Sequence, residues 1–393
     1  LVEYLISKGS DINAKKNDGV TPIHIAVALD NLAAVKILVK AGADLNAVDK
    51  KGRTPIQLAE GHQDIIDALK STPDTWNVLL FDTKDLESTE FMGVYNDQVS
   101  GNFFKNSTVS GFLWNIKTKD ITPLCSENLP ISLVAGNKGD YQYGSLYYNG
   151  QGHAVIWKNS ADNFVDLHPT GIFLSAVFSI WENIQVGTFG DENQNHAAMW
   201  KGTPQSGIDL NPQFSTKSEG HACWGENQFG SVDVDGKQHA SMWKGSPDSW
   251  TDMNPKQASE SSINCCVENM QGGSAVINNK KHAGIWKGSA DTWTDLSPEI
   301  SVDSEIIGMH ENVQVGYICI KNHHAALWKG TTDSLVDLHQ LLREEFKMST
   351  ANGVFVKDGK LVVVGFASKI EADGKELDLN KRAVMWQYVP PEK

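Results

Sequence analysis

The sequence is short of cysteine, of basic charge and of long apolar runs, and each shortage excludes something. Its five cysteines (Cys125, Cys223, Cys265, Cys266, Cys319) make an odd set with no Cys-x-x-Cys spacing. That argues against a disulfide framework and against a thiolate zinc site. They read as reduced, buried thiols, and the vicinal pair Cys265-Cys266 is the one place where a redox role could sit. Lys and Arg number 34 against 48 Asp and Glu, a formal net charge of -14. Residues 1–72 are balanced at nine of each sign, so the acidic excess, 25 against 39, falls in residues 73–393. An acidic body lacks the footprint that nucleic acid or an anionic membrane requires. No stretch reaches the roughly 18 apolar residues of a membrane span. Nucleophile-elbow, phosphate-loop and zinc-helix patterns are missing as well. Asp233 to Lys237, "DVDGK", lacks the further acidic positions of a calcium loop. The reading therefore names no catalytic residue, no metal and no cofactor.

Repetition is what the sequence does have. Thr21-Pro22-Ile23-His24-Ile25-Ala26 returns as Thr54-Pro55-Ile56-Gln57-Leu58-Ala59, 33 residues later, and "SKGSDINAKKNDG" (Ser7 to Gly19) returns as "KAGADLNAVDKKG" (Lys40 to Gly52). Pro at the first helical position gives up an N–H that would have no partner there. Val35, Ile37, Leu38 and Val39 supply the apolar side of a second helix, expected to end at Gly42. Period and motif together resemble the ankyrin repeat. The resemblance implies an all-α solenoid over residues 1–72, closed by a helix over His62 to Lys70. It also implies that His24 braces neighbouring turns, a role Gln57 takes over only in part. Leu1 to Gly9 reads as the second helix of a unit, so the natural chain is expected to continue upstream. The compartment stays unknown, with the cytoplasm or delivery into a host cell favoured.

A different period governs the rest. Trp114, Trp157, Trp200, Trp243, Trp286, Trp328 and Trp386 close a recurring "HAxxW"-like phrase at steps of 43, 43, 43, 43, 42 and 58. Each unit parses into four short strands, with Asn149-Gly150, Asp235-Gly236 and Asn278-Asn279 as two-residue hairpin turns. This predicts an all-β seven-bladed propeller over residues 73–393. The last unit lacks its fourth strand, whereas "PDTWNVLL" (Pro73 to Leu80) stands spare at the front. The ring is therefore expected to close through its N-terminal strand. The stretch "QVG…HAAMWKG…DL" (Gln185 to Leu210) resembles the HAF repeat, a propeller-type unit of bacterial, often exported proteins, although the Phe of the name is absent here. That resemblance implies a fold and a bacterial source, and carries no catalytic residues.

Copies of a group in every unit argue for scaffold. His153, His196, His239, His282 and His324 fall on different blades, and each is expected to bond the Asp of its own "DL" phrase (Asp166, Asp209, Asp252, Asp295, Asp337). Ser179, Cys223, Cys265 and Gly308 align as small residues of the innermost strands. They stand four before the Asn of Glu182-Asn183, Glu226-Asn227, Glu268-Asn269 and Glu311-Asn312, which form turns at one channel mouth. Trp250 and Trp293 are assigned to outer strands. Ala367 to Arg382 is a charged extension of the last unit.

The leading expectation is a non-catalytic protein–protein interaction scaffold. Its repeat tips (Asn17, Asp18, Lys50, Lys51) and first-helix sides (Asp30, Asn31, Glu60) would meet a protein partner. The alternative is a carbohydrate-binding propeller whose ligand mouth is Trp181, Glu182, Trp224 and Glu226. A third reading, glycan hydrolysis by those glutamates, needs two carboxylates in contrasting environments.

Overall fold

The computed structural model describes residues 2–7, 10–41, 43–45, 47–70, 75–81, 86–126, 128–129, 131–191, 194–357, 359–369 and 380–389. Gly42 as a helix end, Pro73 and Asp74 of the spare segment, and residues 370–379 of the charged extension lie outside these. The chain forms two compact units, Leu1–Asn77 with Tyr388–Lys393, and Val78–Gln387.

The smaller unit is helical: α1 (Val2–Ser7), α2 (Pro22–Ala28), α3 (Leu32–Lys40), α4 (Pro55–Leu58) and α5 (Gln63–Lys70). Thr21 and Thr54 precede α2 and α4 in extended conformation with Pro at the first helical position. Ile23, Val27, Val35, Leu38, Val39, Ile65 and Leu69 are buried together as its core. Successive turns are laid on each other by the Lys50 N–H, which donates to the Asp18 carbonyl at 2.8 Å.

The larger unit is mostly β. Five of its hydrogen-bonded sheets are four-stranded; a sixth, eight-stranded, is two four-stranded antiparallel sets joined by one parallel bridge, Leu174↔Gly152. These seven sets are numbered I to VII by their first strands, Ser88–Tyr95, Ile131–Lys138, Leu174–Trp181, Ser218–Trp224, Glu260–Val267, Asp303–His310 and Met348–Lys357. The fourth strand of sheet VII is Thr75–Leu80, lying beside Arg382–Val389, and the Phe81 N–H donates to the Ala383 carbonyl at 2.9 Å.

Apolar clusters form between neighbouring sheets. Ala154, Ile156 and Leu167 of sheet II pack with Val177, Ile180 and Trp200 of sheet III. Phe355, Val364, Ala383 and Met385 of sheet VII pack with Phe91, Val99 and Phe112 of sheet I. Trp157, Trp200, Trp243, Trp286, Trp328 and Trp386 are all fully buried. Each such ring removes roughly 150–250 Å² from water, which makes the repeated Trp the main apolar contribution of each unit.

The repeated His-Ala pair has two jobs. The Nδ1 of His153, His196, His239, His282 and His324 lies 2.9, 2.7, 2.9, 2.8 and 2.9 Å from an oxygen of Asp166, Asp209, Asp252, Asp295 and Asp337, tying the third strand to the fourth. The N–H of the following Ala then donates to a hydroxyl on the next sheet. Ala154 meets Ser175, Ala197 Ser218, Ala240 Ser261, Ala283 Ser304 and Ala325 Ser349, all at 2.8–3.0 Å.

Every first strand also carries a β-bulge, at Met92, Ala135, Phe178, His221, Asn264, Ile307 and Asn352. The bulge drives a first-strand carbonyl against the second strand, where only glycine fits. A Cβ on Gly187 would stand 1.9 Å from the Ala176 oxygen, and Gly144, Gly230, Gly273, Gly316 and Gly365 are pressed in the same way.

The bulges correct the residue alignment. Ser179 matches Ala222 and Cys265, one position after the bulge, so Cys223 is equivalent to Cys266 instead. Glu226 is the second residue of its turn, whereas Glu182, Glu268 and Glu311 are the first and adopt φ of 51–52°. Gly225 takes that left-handed position in sheet IV at φ 58°. The fourth strands are short: in sheets IV and V they hold only Thr251–Asp252 and Thr294–Asp295. Trp250 and Trp293 therefore end 3-10 turns and do not lie on outer strands.

Candidate functional site

One cavity, of about 1270 Å³, is lined by the first strands of all seven sheets. The bulged residues face it, and three of them are polar. His221 Nδ1 lies 3.0 Å from the Ile263 carbonyl, Asn264 donates to the Ile306 carbonyl at 2.8 Å, and Asn352 donates to the Phe91 carbonyl at 2.8 Å. In each case the acceptor is the residue just before the neighbouring sheet's bulge, so the side chain satisfies a carbonyl that the bulge displaces. His221 is further tied to Glu219 at 3.1 Å. These groups are committed to the wall.

Trp181 and Trp224 end the first strands of sheets III and IV. Both are half-buried, both line the cavity, and their ring centroids are 3.6 Å apart. Lys138, which ends the first strand of sheet II, extends its ammonium over them, 4.0 Å from the Trp181 centroid and 5.0 Å from Trp224. Burial lowers the Lys138 pKa by disfavouring its charged form. The sequence gives no signal for this contact, because the equivalents of Lys138, three residues after each bulge, are Tyr95, Trp181, Trp224, Val267, His310 and Phe355.

Glu182 and Glu226 are exposed at the turns beyond the tryptophans. Neither has the sheltered setting that would distinguish an acid from a base. Among the described residues no group of three His, Cys, Asp or Glu is placed to hold a metal ion. All five cysteines are free. Burial raises the Cys223 thiol to about 11 and pushes Cys265 and Cys266 further up, so none is a ready thiolate. Cys265 packs with Ile306 and Met309, while Cys266 packs in a different cluster with Phe229 and Ile263. Neighbours in sequence, the two thiols face opposite sides of the strand.

In the smaller unit Asn17, Asp18, Asp30, Asn31, Lys50, Lys51 and Glu60 are all exposed. Asn17, Asp18, Lys50 and Lys51 lie in or beside turns, as expected of tips. Asp30, Asn31 and Glu60 do not lie on helix sides. Asp30 is a left-handed turn residue, φ 52°, 2.8 Å from His62. Asn31 caps α3 by accepting from the Ala34 N–H at 3.0 Å, and Glu60 follows α4 in a turn. Asp49, missed by the sequence reading, is buried and accepts from Lys51 N and Arg53 N, Nε and Nη2 at 2.8–3.0 Å. The hydrogen bonds from Arg53 hold its carboxyl down at about 2.

His24 supplies the brace. Its Nδ1 is 2.8 Å from Thr21 Oγ1 and its Nε2 3.2 Å from the Arg53 carbonyl. Since a carbonyl can only accept, Nε2 carries the proton and Nδ1 accepts from Thr21. Residues 1–77 match the family model of ankyrin repeats, in three copies. Ankyrin repeats are interaction modules and typically non-catalytic. No curated protein matches the chain. No helix among the described residues is long and apolar enough to cross a membrane.

Proposed function

We propose that the protein is a non-catalytic interaction scaffold in which an ankyrin-repeat solenoid, residues 1–72, and a seven-bladed β-propeller, residues 73–393, each offer a docking surface. The ankyrin match over residues 1–77 carries the interaction reading. The solenoid reading is supported by the 33-residue recurrence of the Thr-Pro helix starts at Thr21 and Thr54.

Support for the propeller comes from the seven four-stranded sets and from the cavity walled by every first strand. Closure by the N-terminal strand is supported by Thr75–Leu80 lying outermost in the same sheet as Met348–Lys357. A ring completed in this way leaves few open sheet edges, as a rigid docking body requires.

The exposed tips Asn17, Asp18, Lys50 and Lys51 are the contact residues we assign to the repeats. The test is capture from a matched lysate by the full chain and by a variant combining Asp18→Lys, Lys50→Glu and Lys51→Glu. The reading expects defined proteins retained by the former and lost by the latter, with unchanged circular dichroism. Identical retention by both, or none by either, would remove it.

The carbohydrate reading gains its two tryptophans in the cavity. It loses ground because the Lys138 ammonium stands over both rings, where a neutral sugar face would stack.

A further inference from the structure

The turns joining first to second strands follow the strand ends that line the cavity, with Glu182, Glu268 and Glu311 in the lining itself, and six of the turns carry a described carboxylate. They are Asp97, Asp140, Glu182, Glu226, Glu268 and Glu311. Of the six, only Asp97 is drawn into an ion pair among the described residues, with Lys117 at 2.7 Å. Such a ring creates a negative field that concentrates cations and repels anions at the entrance.

An independent observation shows what the aromatic pair accepts. The Lys138 ammonium rests on Trp181 and Trp224 at 4.0 and 5.0 Å, and among the described residues no carboxylate forms an ion pair with it. It is held by ring faces, the electrostatic arrangement by which indoles bind cations. The lysine is a strand-end residue on a flexible four-carbon stem, free to swing away without breaking backbone pairing. The cavity of about 1270 Å³ is far larger than one lysine side chain, which leaves room for a second chain to enter.

We infer that this mouth takes a cationic side chain of a partner protein, an ammonium or guanidinium, onto the Trp181–Trp224 pair in place of Lys138. An anionic occupant would have to pass the carboxylate ring, and a neutral one would have to displace a cation without replacing its charge. The inference rests on the interaction reading of the larger unit and not on the ankyrin repeats.

The experiment is calorimetric titration of the full chain with N-acetyl-trilysine amide, alongside N-acetyl-triglutamate amide and a neutral trisaccharide. Trilysine is expected to bind, and more weakly as salt is raised. Lys138→Met keeps the stem and removes the competing ammonium from the rings, so it should tighten trilysine binding by about tenfold. Trp224→Leu should weaken it by a similar factor. Absence of trilysine binding in both the native chain and Lys138→Met overturns the inference. So does preferential binding of triglutamate, which would make Lys138 an anion receptor, or of the neutral sugar. Trilysine silence would leave capture through the repeats intact, and loss of capture would leave the trilysine result intact.

Discussion

The backbone N–H of Ala383 donates to Thr89 Oγ1 at 3.0 Å, joining residues 294 positions apart in the chain. Sheet VII is thereby seamed to sheet I by the bond that Ala240 and Ser261 make between sheets IV and V. A second tie runs the same way, from Asn352 to the Phe91 carbonyl at 2.8 Å. The junction between the chain's distant ends is built from the same parts as the interior ones, and because the donor is a backbone N–H the bond is made without the His, after Arg382 here and from Gly111 to Ser132 at 2.7 Å between sheets I and II.

Thr89→Val keeps the shape of the side chain and leaves the buried Ala383 N–H without its acceptor. The expected loss is about 1–3 kcal/mol, the cost of an unsatisfied buried donor. Ser261→Ala should cost a similar amount at an interior seam. Urea denaturation of both variants measures the comparison. If Thr89→Val were neutral while Ser261→Ala was costly, the terminal junction would not carry load.

Within one unit the Trp and the His should weigh differently. Trp243 is completely buried, so Trp243→Ala should cost about 3–5 kcal/mol through lost burial and the cavity left behind. The side chains of His239 and Asp252 are 18% and 41% exposed, and pairs this wet contribute little. His239→Ala is expected to cost about 1 kcal/mol or less. Equal losses by thermal denaturation would contradict the assignment of the Trp as the principal anchor.

The architecture was legible wherever physics repeats a residue type. The 43-residue step marked the sheets, and the hairpin pairs appear with positive φ at both residues, as at Asp235 and Gly236. The His–Asp bonds were legible for the same reason. The bulges were not, because a bulge constrains backbone geometry and accepts Met92, Ala135, His221 or Asn352 alike. Their trace lay one strand further on, in the second-strand glycines that the displaced carbonyls require. Matching Glu226-Asn227 to Glu182-Asn183 by identity, 44 residues apart, overrode the period and shifted Cys223 with it. At the mouth, the two tryptophans could be found by alignment. Lys138 could not, since its place depends on a side chain bending across two neighbouring sheets.

Acid should weaken the fold through His339. Burial, and then the nearby His324, hold it down at about 4 against an ordinary 6.5. Between those values the unfolded chain binds the proton and the folded chain does not. The contribution is therefore fully present above about pH 6.5 and is lost as pH falls toward 4. Allowing for solvent screening of a group this exposed, the loss is about 1–2 kcal/mol. His339 Nδ1 sits 2.8 Å from Ser349 Oγ, where Asn211 accepts from Ser218 at 2.7 Å in an equivalent seam. His339→Asn should thus fold normally and show a smaller fall in urea midpoint between pH 7 and pH 4.5. An unchanged fall would remove His339 as a source of the acid sensitivity.

His24 and Gln57 occupy equivalent places after Thr-Pro, yet they reach differently. His24 is buried and spans from Thr21 to the Arg53 carbonyl in the next repeat, whereas Gln57 accepts from the Thr54 N–H at 2.8 Å and from the Thr54 hydroxyl at 3.3 Å. His24→Gln should retain the local bond at the start of α2 and lose the bridge between repeats. The cost is expected at about 1–2 kcal/mol, because the Arg53 carbonyl loses its imidazole donor. Hydrogen exchange resolves where the loss falls. Amides of α2 and of the Asp49 to Arg53 turn should exchange faster, while those of the sheets keep their protection. Faster exchange confined to α2 would mean that His24 acts only as a cap, and the inter-repeat brace would have to be withdrawn.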